Sequence, residues 1–358
     1  MPKDRTADEP QRAPILDAGV NCWKKAAVRR AAFLVDGDSY YRAVADAIDG
    51  ARRSIWILGW DTDSKIPLRR EAGAPGLESF LRTKLEENPE LRVHVLSWDF
   101  AMVYAFEREL APLFRLSWSS HERLHYHLDG HHPVGACQHQ KVVVIDDSVA
   151  FAGGFDLTKS RWDTTEHRVD EPGRSTPDGS PYPPFHDVQM AVDGDAARTL
   201  GDLARERWHR ATGERIEPER DTDSDPWPGG LEADAENAVV GIARTLPPYD
   251  STDPVREVER LHLDAIAAAR DSIYIESQYF TSMTIAEALC ARLEEAEGPE
   301  VVAVVPGECP GWLEETTMGV LRNQCLLRLL NADRYGRFRV YHPVVGDVPI
   351  FVHSKVMV

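Results

Sequence analysis

Residues 142–145 read Val-Val-Val-Ile, an apolar run with no polar residue at alternate positions. A run of this kind suits a strand buried on both faces of an α/β sheet. Residues 46–57 (DAIDGARRSIWI) follow another pattern: apolar positions at helical spacing, a polar break at Arg-x-Ser, then β-branched and aromatic residues. That order predicts a helix feeding a buried strand. It returns at residues 264–275 (DAIAAARDSIYI), where eight of twelve positions are identical at a spacing of 218. Residues 311–330 also carry apolar positions at helical spacing, which predicts a core helix rather than one lying on a membrane.

A second marker repeats with nearly the same period. His139 and Lys141 stand two apart beside the 142–145 run, and His353 and Lys355 form the same pair 214 residues later. Two markers in step imply a tandem duplication of one α/β unit. On this reading residues 1–32 are a polar arm, 33–214 the first repeat, 215–237 a Pro-, Gly- and acid-rich linker, and 238–358 the second repeat. Residues 168–186 are too rich in Pro and Gly for a regular element, and are expected to form a mouth loop or a tolerated insertion.

Composition narrows the class. The 358 residues are 42% hydrophobic and 28% charged, as in a globular protein, and two domains suit the length. With 41 basic and 59 acidic residues the formal charge is −18, which argues against a general nucleic-acid binder. The first residues lack an apolar stretch of the secretory kind, and no run approaches membrane-spanning length. Cys22, Cys137, Cys290, Cys309 and Cys325 have no metal or disulfide spacing and read as reduced thiols of a cytoplasmic protein. Residues 121–139 hold six histidines, which raises zinc; no cysteine or carboxylate completes a ligand set, so no metal is expected.

The repeated pair carries the chemistry. On a strand, His139 and Lys141 would share a face at its entry, with Asp146 beyond the apolar run and Gly153-Gly154 where backbone must approach closely. The whole pattern, His-x-Lys-x4-Asp-x6-Gly-Gly, resembles the defining motif of the phospholipase D superfamily. "GGFDLTKSRWDT", "PFHDVQMAVDGDAARTLGDLARERWHR" and "IYIESQYF" are similar to its eukaryotic-type subgroup, and the likeness runs from about residue 33 to the end. It implies a duplicated fold, each half a mixed β-sheet flanked by helices in an α/β/α sandwich. It further implies that His139 is the nucleophile forming a phosphohistidine, that His353 is the general acid, and that Lys141 and Lys355 hold the phosphate.

General chemistry agrees. Breaking a phosphodiester needs a nucleophile, a proton for the leaving oxygen and positive charge on the non-bridging oxygens. Histidine serves the first two needs near neutral pH, and lysines supply the third without a metal cofactor. Asp187, opening the expected strand at "DVQMAV", is the candidate partner of His353, and Asp146 is counted in the catalytic set as a tie to nearby backbone. Gly153, Gly154, Asp156, Arg161, Trp162, Glu276 and Gln278 are expected at the substrate. Ser277 stands where the subgroup carries Asn between the last two.

The expected activity is hydrolysis of a glycerophospholipid to phosphatidate and a headgroup alcohol, with transfer to other alcohols, by a monomer working peripherally at a membrane surface. Competing readings are a cardiolipin synthase-type transferase, whose usual N-terminal membrane helices are not seen, a nuclease, and a catalytically silent lipid-binding relative. The subgroup pattern expects an aspartate five residues after Lys355. On that pattern the second repeat is expected to be truncated and the chain to be a fragment, inactive alone and prone to aggregate through an exposed sheet edge.

Overall fold

The computed structural model describes residues 15–99, 118, 121–219, 224–307 and 315–358. Residues 1–14 of the expected arm, Cys309, and 311–314 at the head of the apolar 311–330 stretch lie outside the described residues.

The first half runs β1 (Lys24–Val35), α1 (Asp36–Asp49), β2 (Ser54–Gly59), α2 (Leu77–Glu87), β3 (Arg92–Trp98), β4 (Leu124–Asp129), β5 (Val142–Ile145) and β6 (Val149–Gly153). It continues with β7 (Phe185–His186), β8 (Val188–Asp193), α3 (Gly194–Thr212) and β9 (Ala235–Ile242). The second half comprises α4 (Glu257–Ala268), β10 (Ser272–Ser277), α5 (Met283–Glu294) and β11 (Glu300–Val304). It ends with α6 (Val320–Ala332), β12 (Phe338–Tyr341), β13 (Phe351–Val352) and β14 (Lys355–Met357).

An eight-stranded sheet has the order β4-β3-β2-β5-β6-β8-β1-β9, and a four-stranded sheet the order β12-β11-β10-β14. In the first, β2, β3 and β4 are parallel and β5 runs antiparallel to β2. In the second, β10, β11 and β12 are parallel and β14 runs antiparallel to β10. A helix leads into β2 and another into β10, so the duplication seen in the pattern is present as architecture. The two sheets are joined by a short parallel ladder, β7 with β13, pairing Phe185 with Phe351 and His186 with Val352.

Apolar alternation decides which way each strand faces. Ile55 and Ile57 of β2 meet Tyr40, Ile48 and Phe151 on the side of α1 and α2, while Trp56 and Leu58 meet Val144 and Trp208 on the side of α3. A separate core in the second half gathers Ile273, Ile275, Leu289, Val301 and Leu329. Two sequence boundaries need correction. Residues 24–32 are not an arm: they form most of β1, between β8 and β9, because buried Ala26, Val28 and Ala31 are set among Lys24, Lys25, Arg29 and Arg30, which disguise the strand. Asp193 pins that strand by accepting the backbone N–H groups of Arg29 (2.8 Å) and Arg30 (2.9 Å). β9 also pairs with β1, so the first sheet claims residues 238–242, which the repeat pattern assigned to the second half.

One ion pair clamps α3 to the sheet. Asp129, fully buried at the end of β4, accepts Arg207 Nη2 at 2.8 Å and Nε as well, while Arg207 Nη2 also donates to His131 O at 2.9 Å. Removing one partner leaves a buried charge unopposed. Asp129→Ala is therefore expected to lower unfolding free energy by about 3–5 kcal/mol, and the Asp129→Ala/Arg207→Met double variant by less than the sum of the singles. Urea denaturation of the four proteins checks this; a cost near zero for Asp129→Ala would show the clamp to be idle.

Candidate active site

The site forms where β5 meets the β7–β13 ladder. Residues 136–141 are irregular rather than an extension of β5, so His139 and Lys141 do not share a strand face. Lys141 turns inward, 4% exposed, and pairs with Asp156 Oδ2 at 3.1 Å. Asp156 is fixed by the backbone N–H of Trp60 at 2.8 Å. His139 stays open to solvent. Burial of its surroundings, followed by the charges of Lys141, Lys355, His353 and Arg161, lowers its pKa to about 2.

In the second half His353 is 4% exposed, and its Nδ1 lies 2.6 Å from Asp187 Oδ2. Phe185 packs against the ring at a centroid distance of 5.4 Å. Burial, and then Lys355, Arg161 and Lys141, hold the His353 pKa well below its ordinary value. Lys355 Nζ donates to Gln278 Oε1 at 2.9 Å and to the His353 carbonyl. The Asp187 carboxyl is raised by burial, against the pull of Lys355 and Arg161, and it accepts the Val188 N–H at 2.8 Å. The two His–Lys pairs thus act on each other electrostatically although 214 residues separate them. They leave a cationic pocket in an acidic protein, with one imidazole free to attack and another backed by a carboxylate.

The remaining expected residues divide. Arg161 joins the cluster, its guanidinium 5.0 Å from the Phe185 ring centroid and its buried Nε without a partner among the described residues. Asp146 lies at the opposite end of β5, where it accepts the N–H groups of Arg52, Arg53 and Ser54 at 2.7–2.8 Å; it ties backbone but is remote from the pocket. Gly153 and Gly154 clear space instead of lining the pocket. A Cβ on Gly154 would fall 2.0 Å from Asp187 Oδ1, so only glycine lets that carboxylate seat. Trp162 belongs to the core, 5% exposed beneath the Arg70 guanidinium. Glu276 bonds His186 Nε2 at 3.1 Å.

Among the described residues one His/carboxylate group brings its ligand-type atoms within 4.8 Å of one another, and it is not the six-histidine stretch: it is Asp36, His167 and His186. Sequence reading missed these three. The only local signal was the i, i+4 spacing of Asp163 and His167, whose side chains bond at 3.0 Å. His125 lies instead on β4, stacked on His94, which stacks in turn on Trp56. The 168–186 segment is held by Arg174, which bonds Tyr182 O, Val169 O and Asp163.

Residues 119–237 match the family described as PLDc, Phospholipase D. The chain is 33% identical over 162 residues to phospholipase D2 of Bos taurus, covering 43% of this chain and 16% of that protein. It is 24% identical over 328 residues to phospholipase D A of Dictyostelium discoideum, covering 79% of this chain and 25% of that one. The chain therefore spans a quarter or less of these two relatives. Among solved structures, phosphatidylserine synthase of Haemophilus influenzae Rd KW20 has the same fold, with a TM-score of 0.61 over 93% of this chain and 77% of that chain at 12% identity.

Proposed function

We propose that this chain, which belongs to the phospholipase D superfamily, cleaves the headgroup ester of a glycerophospholipid and passes the phosphatidyl group to water or another alcohol. The observation that supports this most is the meeting of His139, Lys141, Lys355 and Arg161 with the Asp187-backed His353. With its lowered pKa, His139 is neutral at pH 7 and its lone pair can attack phosphorus. The P–N bond forms as the P–O bond to the headgroup breaks, and the departing oxygen takes a proton from His353. The anionic phosphodiester, together with Asp187, offsets the cations that keep His353 uncharged in the free protein. Water or an alcohol then returns a proton to His353 as its oxygen attacks phosphorus and the P–N bond breaks.

Lys141, Lys355 and Arg161 would hold the non-bridging oxygens. Asp156 and Gln278 support this by aiming the two ammonium groups. A cavity of about 420 Å³ opens beside Lys355 between Val258, Ile275, Phe280 and Ile285, apolar space suited to hydrocarbon next to a phosphate. Among the described residues no helix is long and apolar enough to cross a membrane, and lipid would be met at a surface.

Alcohol trapping tests the reading. With a short primary alcohol present, phosphatidyl-alcohol should replace phosphatidate in proportion to alcohol concentration while headgroup release keeps its rate. Phosphatidate as the sole product at every alcohol concentration would overturn the shared intermediate.

A further inference from the structure

We propose that His186 is a positioning residue: an imidazolium strut between Asp36 of the first repeat and Glu276 of the second, which sets both His353 and Lys355 in place. The inference rests on the function proposed above. His186 Nδ1 lies 2.8 Å from Asp36 Oδ1 and its Nε2 3.1 Å from Glu276 Oε2. A neutral ring would turn a lone pair toward one of the two carboxylates; a ring with both nitrogens protonated satisfies both. Burial opposes charging this ring, but its bonds to Asp36 and Glu276 outweigh burial and raise its pKa to about 10.

Each end of the strut is anchored. Asp36 is 1% exposed and sits at φ 65°, its N–H donating to Asp187 O at 2.9 Å while its carboxylate receives the Asp187 N–H at 3.3 Å. Asp36 Oδ2 also faces His167 Nε2 at 3.4 Å, and His167 leads on to Asp163 and Arg174. On the other side Glu276 receives the Tyr274 hydroxyl at 2.6 Å. A single line of charge-assisted bonds therefore crosses from one repeat to the other.

Both catalytic candidates of the second repeat depend on that line. The His353 N–H donates to His186 O at 2.8 Å, and Asp187, next in the chain after His186, holds the His353 ring. Glu276 and Ser277 of β10 pair with Val356 and Lys355 of β14, so a shift of Glu276 carries Lys355 with it. Without the imidazolium, Asp36 and Glu276 would repel across the joint. The Asp36–His167–His186 group could also be imagined around a divalent cation, but both histidines already bond carboxylates, His186 to Asp36 and Glu276 and His167 to Asp163, which favours the strut.

Two measurements test this. NMR of histidine-labelled wild-type protein at pH 8 should show both His186 nitrogens protonated; a neutral tautomer, or an equivalent of zinc retained on Asp36, His167 and His186, would overturn the proposal. This arm needs no turnover, so a wrong functional reading and a wrong strut are distinguishable. In kinetics, His186→Gln should lower kcat by about 10- to 100-fold with KM within about threefold, the scale of loss seen when an outer-shell orienting group goes. Adding Glu276→Gln, which removes one of the opposed charges, should return part of that loss. Multiplying losses in the double variant, or an equal change in KM, would reduce His186 to a packing residue.

Discussion

His139→Ala is expected to lower kcat/KM on a phosphatidyl ester by about 10⁴-fold or more, the loss that follows when the attacking group of a covalent mechanism is removed. Stability should hardly change, since His139 faces solvent and supports no core element. Acid-quenched single turnovers with phosphorus-labelled lipid should leave label on wild-type protein and none on the variant. Turnover within tenfold of wild type would assign the attack to another group. Because Lys141, Lys355 and Arg161 surround the site, a small substitution at His139 leaves a cationic pocket still able to bind phosphate. The loss should therefore fall on kcat, with KM little changed.

Asp187→Asn should cost about 10³- to 10⁴-fold in kcat, because an amide of the same shape can neither fix the ring tautomer nor offset the charge of a protonated His353. The pH profile gives an independent check. Asp187 must be ionised, and burial raises its pKa, so activity should fall as pH drops through that raised value. Lys355 must be protonated, and so must His353 before it can donate; burial lowers both pKa values, Asp187 opposing at Lys355 and Lys141 and Arg161 adding at both, so activity should fall as pH rises through the lowered values. The wild-type bell then has its acid limb above the ordinary aspartate value of about 3.9 and its alkaline limb below the ordinary lysine value of about 10.4. In Asp187→Asn the acid limb should disappear. An acid limb that survives the substitution would tie it to a different group.

Much of this could be read along the chain. The buried run 142–145 is β5, the helix-to-strand patterns are α1 with β2 and α4 with β10, and the histidine–lysine pairs lie where the two halves meet. Such features are local or periodic, and burial imprints them on sequence by excluding polar residues from one face or both. Basic residues on the exposed face of β1 hid a strand inside a stretch that read as an arm. Trp162 shows the converse error: the same loop carries Arg161 to the pocket and Trp162 into the core. Backbone direction alone decides between neighbours one residue apart.

Residue order was sufficient for the duplicated α/β plan and for singling out the two histidine–lysine pairs, because both are written as short spacings in the chain. Only the folded molecule decided which carboxylate serves which cation: Asp187 with His353, Asp156 with Lys141, and Asp36 and Glu276 on either side of His186. Those partners are 166, 15, 150 and 90 residues apart. No short-range preference records such pairings. Asp187 reaches His353, and His186 reaches Glu276, where β7 and β13 lie side by side, while Asp156 and Asp36 come from the first half; the electrostatics of the pocket follow from bringing these groups together.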